Sequence, residues 1–152
     1  MNRLNSSGIC NFERMIMGQI RIKWVEDRLM VGTDSNNNSV VIGRTHQNQH
    51  GEGVKPAELL LMAAASCSGY DVLEILLKQR QPLRDLEVIC SGNQMKDPPY
   101  SFTDMHLHYI LYGDLEREKV ERAIQLSQEK YCSVIATLKP SIPVTFDYEV
   151  RP

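Results

Sequence analysis

The chain has 152 residues, of which 42% are apolar and 24% are charged, which is ordinary for a soluble globular domain that buries a core without disulfides or a metal. Its formal charge of −2 shows no basic surplus, so nucleic acid and an anionic membrane surface are not expected as main partners. No stretch of eighteen apolar residues runs without polar interruption, so no membrane span is expected either.

The first 17 residues, MNRLNSSGICNFERMIM, have neither the apolar segment nor the small-residue cleavage site of a secretory signal. They predict a loose N-terminal extension ahead of a single domain over residues 18–152. The four cysteines lie far apart and form no CxxC pair: Cys10, Cys67, Cys90 and Cys132. Reduced thiols in the cytoplasm are therefore expected.

Three short strands open the predicted domain. Ile20, Ile22 and Trp24 alternate with polar residues, which indicates a half-buried strand. A second strand follows over residues 28–33, and the turn sequence DSNNNS leads to a third over residues 40–43. Together they predict a meander.

A polar loop and a long helix come next. Residues 44–54, RTHQNQHGEGV, contain glycine and show no period, so they predict a mobile loop. Pro56 stands where a first-turn proline belongs, the helix extends to about Arg80, and Pro82 supports its end. Residues 59–67 are apolar on every side, so this helix must be buried all round, in a core or against another chain. One small domain has little sheet to surround it, which indicates a dimer.

The second half places strands before and after a helical region. LEVICSG alternates as a strand, and residues 102–112 form another after the connection KDPPY. Asp114 can cap a helix that extends to about Lys130, YCSVIATL adds a short helical turn, and residues 143–150 close the domain with a strand. The order βββα then ββααβ, with helices set apart from largely antiparallel strands, predicts the α+β class.

Cys67 is the first candidate for chemistry. A cysteine in a helix is most often a small buried side chain. Here the run AAAS at residues 63–66 removes side-chain bulk from the preceding turn, which lets another element or a substrate approach. Tyr70 and Asp71 lie one turn further on, beside the thiol.

Cys132 is the natural second member of a thiol pair. It lies at a helix junction in KYCSVIATL, where free backbone amides would favour a thiolate, and simple burial is the alternative. Cys90 alternates with Leu86 and Val88 on its strand and is expected to face the core.

Metal and nucleotide chemistry receive little support from the sequence. His106 and His108 share one strand face and His46 and His50 stand four positions apart, but nothing supplies a third or fourth ligand. The sequence contains no GxSxG, GxxxxGK[ST] or GxGxxG motif, so the common serine hydrolases, nucleoside triphosphatases and dinucleotide enzymes are not indicated.

Two segments taken together resemble a known family. They are KPAELLLMAAASCSGYDVLEILLKQRQPLRDLEV and, much later, VERAIQLSQEKYCSVIATL. Both are similar to the OsmC/Ohr family of osmotically inducible and organic hydroperoxide resistance proteins, and closest to its OsmC-like branch. The resemblance covers roughly residues 18–150, and the predicted element order fits that family's fold.

The resemblance implies an intertwined homodimer with two long central helices packed together and active sites at the interface. It also implies a peroxidase without a bound cofactor, acting in oxidative stress defence. Cys67 would attack the distal oxygen of a small organic hydroperoxide, release an alcohol and become a sulfenic acid. Cys132 would resolve it as a disulfide, which a dithiol reductant then opens.

Two positions depart from the family's pattern. Active members place a glutamate where this chain has Ala57, beside an arginine that orients the thiolate, whereas the carboxylate here is Glu58. On a straight helix Glu58 and Cys67 face opposite ways and lie about 13 Å apart along the axis, so Glu58 would serve the other site of a dimer. Arg44, in the loop that leads into the helix, is the expected arginine, because Arg80 lies about 20 Å along the helix from the thiol.

Two functions from different classes remain. The first is an organic hydroperoxide reductase, whose apolar helix favours a lipid-like or aromatic hydroperoxide over hydrogen peroxide. The second is a non-enzymatic dimer whose apolar pocket, lined by the AAASC turn, binds a small hydrophobic ligand. Cys67→Ser separates them, because it would abolish turnover in the first and preserve binding in the second.

Overall fold

The computed structural model describes residues 18–43 and 53–152, and the chain divides into two compact units between Lys55 and Pro56. The predicted N-terminal extension lies outside the described residues, and so do Arg44, His46 and His50. The boundary at residue 17 and the single domain over residues 18–152 therefore stay predictions.

The first unit is the predicted antiparallel meander. Its strands are β1 (Arg21–Glu26), β2 (Leu29–Thr33) and β3 (Ser39–Gly43), with β2 in the middle. The second turn closes because Asp34 Oδ1 accepts hydrogen bonds from the backbone N–H groups of Asn36 (2.8 Å) and Asn38 (2.9 Å). The strand predicted at β1 is confirmed, but it is exposed along its whole length, so the predicted half-burial is wrong. The described residues of this unit form a single layer and cannot cover a face of their own sheet.

The second unit combines a long helix, a three-stranded sheet and a helical connection. Its elements are α1 (Pro56–Lys78), β4 (Asp85–Gln94), β5 (Phe102–Tyr112), α2 (Arg117–Leu126), a π-helical turn (Ser127–Tyr131), α3 (Ser133–Leu138) and β6 (Val144–Arg151). The predicted βββα–ββααβ order is confirmed. Asp114 does not cap α2, because Glu116 is the N-cap residue and its N–H donates to Gln81 Oε1 at 2.9 Å.

The sheet of the second unit has the order β4–β5–β6. β4 is antiparallel to β5, with Asp85 opposite Tyr112, as predicted. β6 is parallel to β5, with Met105 opposite Val144, so the described strands are largely antiparallel, as predicted, with this parallel pair as the exception. The helical connection between β5 and β6 permits the parallel pair, because parallel neighbours need a long crossover that returns the chain to the starting end of the strand.

The core of the second unit lies between this sheet and the helices. Its fully buried apolar residues are Ala64, Val72, Leu76, Met105, Leu107, Tyr109, Leu111, Val120, Ala123, Ile124 and Ile135. Each large aliphatic side chain among them stabilises the fold by roughly 1.5–3 kcal/mol through burial. This core fixes α1 against the sheet and so positions Cys67.

α1 is buried on one side only. Val72 and Leu76 are fully buried, whereas Met62 is 53% exposed and Tyr70 is also exposed. By length and composition this helix could cross a membrane, but it packs on β4, α2 and α3 as the central helix of its unit. Burial on every side, as the sequence predicts, would require a second chain.

Candidate functional site

The two cysteines that the sequence singles out lie together in the structure. Cys67 is half-buried in the middle of α1, and Cys132 is 2% exposed between the π-turn and α3. Both are free thiols, and the Cys67 thiol is close enough to the Cys132 thiol to raise its pKa. The fold therefore brings two distant positions of the sequence into one dithiol site.

The environment of Cys132 keeps its thiol protonated at neutral pH. Cys132 is the N-cap residue of α3, and its Sγ accepts a hydrogen bond from the Ile135 N–H at 3.4 Å, which favours the thiolate. Burial and the neighbouring Cys67 thiol outweigh this contact and raise the pKa of Cys132 to about 12. The prediction that the helix junction favours a thiolate is wrong, because desolvation disfavours the charged form more than this N–H stabilises it.

The third cysteine of the described structure behaves as the sequence predicts. Cys90 faces the core from β4, where it is half-buried and packs against the buried cluster. Burial raises the pKa of its thiol. Cys90 is therefore a packing residue, and it offers a control for experiments on the other two thiols.

The two charged residues predicted for the site are not brought to it by the described structure. Arg44 lies outside the described residues. Glu58 is in the first turn of α1, on the same unbroken helix as Cys67, about 13 Å away along the axis and on the opposite face. Their roles stay predictions.

The chain reaches Cys132 through the π-turn, where the sequence predicts a continuous helix to about Lys130. The Cys132 N–H donates to the Ser127 carbonyl oxygen, five residues back, at 3.0 Å. In an α-helical turn this N–H would bond to the Gln128 carbonyl oxygen, which instead accepts from Lys139 Nζ at 2.7 Å. Single π-turns within helices are often found at functional sites, and this one determines where Cys132 lies.

A buried hydrogen-bond network joins α1 to the π-turn. Ser68 Oγ lies 2.5 Å from the Tyr109 hydroxyl and 2.8 Å from Ser127 Oγ, and Ser127 Oγ donates to Asp71 Oδ2 at 2.9 Å. Gln128 Nε2 donates to Ser68 Oγ at 3.3 Å and to the Tyr109 hydroxyl at 3.0 Å. Because an ionised carboxylate only accepts hydrogen bonds, the donors follow one order: the Tyr109 hydroxyl donates to Ser68, Ser68 donates to Ser127, and Ser127 donates to Asp71.

Sequence reasoning singled out Asp71 but missed the other members of this network: Ser68, Tyr109, Ser127 and Gln128. Tyr109 carried a usable indication, because it occupies a core-facing position of β5 between Leu107 and Leu111. A hydroxyl at such a position needs a buried partner, since buried polar groups are almost always hydrogen-bonded. Burial also raises the pKa of Tyr109, so its hydroxyl stays protonated.

A groove of about 590 Å³ runs between α1 and β4. Small residues of α1, including Ala65, Ser66 and Gly69, form one wall, and Val88 lies on the other. A Cβ atom on Gly69 would lie 3.2 Å from Val88 Cγ2, so the glycine allows α1 and β4 to approach closely. The small-residue run before Cys67 therefore contributes Ala65 and Ser66 to this groove, but Cys67 itself is not among the residues that line it.

His106 and His108 pair with carboxylates of β6. His108 Nδ1 is 2.5 Å from Asp147 Oδ1, and His106 Nε2 is 3.3 Å from the same oxygen. The hydrogen bond with Asp147 is the main cause that raises the pKa of His108. Across residues 18–43 and 53–152, no group of three or more His, Cys, Asp or Glu side chains has an arrangement that could hold a metal ion.

Comparison with known proteins decides the family. The sequence model described as "OsmC-like protein" matches residues 49–147. The chain belongs to the OsmC family. This OsmC family protein is 38% identical to protein YhfA of Escherichia coli strain K12 over 133 residues, which cover 87% of the chain and 97% of YhfA.

Solved structures confirm the OsmC-like fold. A hypothetical protein from Aquifex aeolicus VF5 superposes with a TM-score of 0.81 at 31% identity, covering 90% of this chain and 98% of that one. An organic hydroperoxide resistance protein OsmC from Legionella pneumophila, described as a predicted redox protein and regulator of sulfide bond formation, gives a TM-score of 0.67 at 15% identity. It covers 91% of this chain and 100% of its own, and at that identity the likeness shows the fold alone.

Proposed function

We propose that this OsmC family protein is a thiol-dependent peroxidase that reduces organic hydroperoxides in the cytoplasm, as part of oxidative stress defence. The observation that carries the proposal is the contact between Cys67 on α1 and Cys132 at the start of α3. Two thiols within reach can cycle between a dithiol and a disulfide, which a cysteine peroxidase needs in order to turn over.

The different environments of the two thiols support different roles. The thiolate is the nucleophile, and Cys132, with a pKa of about 12, keeps its proton at neutral pH. Cys67 is half-buried and is therefore the thiol that meets the peroxide. Its sulfur attacks the distal oxygen, the O–O bond breaks, the alkoxide takes a proton from solvent and leaves as an alcohol, and Cys67 becomes a sulfenic acid.

Cys132 completes the cycle in this proposal. Its sulfur attacks Cys67 Sγ, the S–O bond breaks, and the hydroxyl group leaves as water with the proton of the Cys132 thiol. The product is a Cys67–Cys132 disulfide. A dithiol reductant opens it by exchange and returns both thiols.

A homodimer is the proposed functional unit. The exposed apolar residues of α1, Met62 and Tyr70 among them, and the groove beside them would be covered by a second copy of the chain. Glu58, on the opposite face of α1 from Cys67, would then act in the second copy's site, and Arg44 would orient the thiolate. Both assignments rest on the family pattern described above.

Intact mass under non-reducing conditions tests the peroxidase. After one equivalent of cumene hydroperoxide, the wild type should lose about two mass units within minutes as the disulfide forms. Cys132→Ser should instead accumulate a sulfenic acid at Cys67 that dimedone traps. Cys90→Ser is the matched control and should behave as the wild type. Unchanged masses after minutes in all three proteins would contradict the proposal.

A second candidate function is a dimeric protein that binds a small hydrophobic ligand without turnover. The groove of about 590 Å³ favours it, because small-molecule sites commonly have volumes of roughly 300–1,000 Å³. In this case cumene hydroperoxide would leave the thiols unchanged. Cys67→Ser would bind a hydrophobic fluorescent probe such as anilinonaphthalene sulfonate as tightly as the wild type.

A further inference from the structure

We propose that Ser127 is the positioning residue that sets the separation between Cys67 and Cys132. The proposal rests on the peroxidase function and concerns its second step, the closure of the disulfide. Nothing in the resemblance to the family points to this residue, and it follows from the contacts of the π-turn.

Ser127 is bonded to both cysteine-bearing segments. Its side chain is fully buried and lies within hydrogen-bonding distance of Ser68 and Asp71, which are one and four positions after Cys67 on α1. Its carbonyl oxygen accepts the N–H of Cys132 at 3.0 Å. One residue therefore connects the helix of the first thiol, through its hydroxyl, to the backbone of the second thiol.

The π-turn needs these contacts because π-helical geometry is rarely stable by itself. In an α-helical turn the Cys132 N–H would donate to the Gln128 carbonyl oxygen and not to that of Ser127. Two groups oppose that change: the Ser127 hydroxyl, which anchors the turn to α1, and Lys139 Nζ, which occupies the Gln128 carbonyl oxygen at 2.7 Å. Without them, return to α-helical geometry would displace Cys132 by about 1.5 Å, the rise of one residue.

A displacement of this size matters for disulfide closure and not for peroxide attack. In the closure step Cys132 Sγ must approach Cys67 Sγ in line with the S–O bond that breaks, from the side opposite the oxygen. The hydroxyl group then leaves as water with the Cys132 proton. Misplacement of a reacting group by about 1 Å can slow a reaction about a hundredfold. The first step does not use Cys132, so a displacement of Cys132 should leave peroxide attack by Cys67 unchanged.

Two variants and one control test the role. Ser127→Ala removes the anchoring hydroxyl, and Lys139→Met removes the exposed ammonium group that occupies the Gln128 carbonyl. Thr137→Val is the control, because Thr137 lies on α3, the helix that begins after Cys132, but its hydroxyl bonds within the same helix, to the Ser133 carbonyl oxygen. The midpoint of thermal unfolding shows which variants are folded. If Ser127→Ala is not folded, Lys139→Met tests whether the π-turn sets the position of Cys132.

Each step is measured separately. Dimedone trapping in a Cys132→Ser background gives the rate of sulfenic acid formation, which Ser127→Ala should leave within about twofold of its parent. Disulfide closure in the Cys132-containing protein should be slower by about tenfold or more in Ser127→Ala and slower in Lys139→Met, and unchanged in Thr137→Val.

A glutathione redox buffer separates this proposal from the peroxidase. There the two thiols and oxidised glutathione give the Cys67–Cys132 disulfide and two molecules of reduced glutathione, so no peroxide is required. The equilibrium constant for closure should fall by about tenfold or more in Ser127→Ala, because the displaced thiols meet at a lower effective concentration. If that fall is seen while peroxide leaves the wild type unchanged, the peroxidase fails and the positioning role stands. Equal closure in Ser127→Ala, Lys139→Met and Thr137→Val overturns the positioning role, and so does a wild type that forms no disulfide.

Discussion

Cys132 should be nearly inert to iodoacetamide at neutral pH while Cys67 reacts. Burial and the Cys67 thiol raise the pKa of Cys132 from an ordinary 9.0 to about 12. Alkylation proceeds through the thiolate, so at pH 7 the reactive fraction of Cys132 is about one in 100,000, against about one in 100 for an ordinary thiol. The thiolate fraction is therefore lower by about a thousandfold, and the alkylation rate should be lower by at least about tenfold, because a thiolate of higher pKa is also a stronger nucleophile.

The pH dependence of alkylation is the decisive measurement, because shielding lowers the rate equally at every pH. The reduced protein is labelled between pH 7 and 11, digested, and the label at each cysteine is measured by mass spectrometry. The rate at Cys132 should rise about tenfold for each pH unit without reaching a plateau. In Cys67→Ser the pKa of Cys132 should fall and still exceed 9.0, since burial is the larger cause.

A rate at Cys132 that levels off at or below pH 9 would refute this reasoning. It would mean that solvent reaches the thiol and that desolvation does not control its protonation. Labelling of Cys132 ahead of Cys67 at pH 7 would reverse the roles proposed for the two thiols. Cys90 provides an internal reference, because burial also raises its pKa without a second thiol among the causes.

Three further predictions concern the network, the exposed face of α1 and the histidine pair. Tyr109→Phe removes a hydroxyl bonded to two buried groups and should lower the free energy of unfolding, measured by urea denaturation, by about 1–3 kcal/mol. A loss below about 0.5 kcal/mol would mean that the network does not stabilise the fold. Met62→Glu should convert a dimer to a monomer in analytical ultracentrifugation, whereas Met95→Glu, with a similar exposure of 51% against 53%, should leave the sedimentation unchanged. The pKa of His108, measured by NMR, should lie above 6.5 and fall in Asp147→Asn. Because the pKa of His108 is raised in the folded state, the stability that this pair contributes is present below the unfolded-state pKa and is lost as the pH rises through the folded-state pKa.

Local patterns in the sequence predicted the elements, and contacts between distant segments decided the site. The strand over residues 102–112 and the start of α1 at Pro56 were predictable, because alternation and a first-turn proline act within a few residues. The π-turn was not, since its geometry depends on contacts of Ser127 with α1. The pairing of Cys67 with Cys132 came from the resemblance to a family, because spacing along the chain does not show which helices meet.

The raised pKa of Cys132 is compatible with a resolving role and even favours it. A second thiolate in the site would compete with Cys67 for the peroxide, and its charge would oppose ionisation of the first thiol. A protonated Cys132 avoids both effects. In the proposed cycle its proton would also be used in the closure step, where the hydroxyl group of the sulfenic acid would leave as water. Burial would therefore delay Cys132 until the sulfenic acid has formed, and the proposed role of Ser127 is to hold it at the distance from which it could then react.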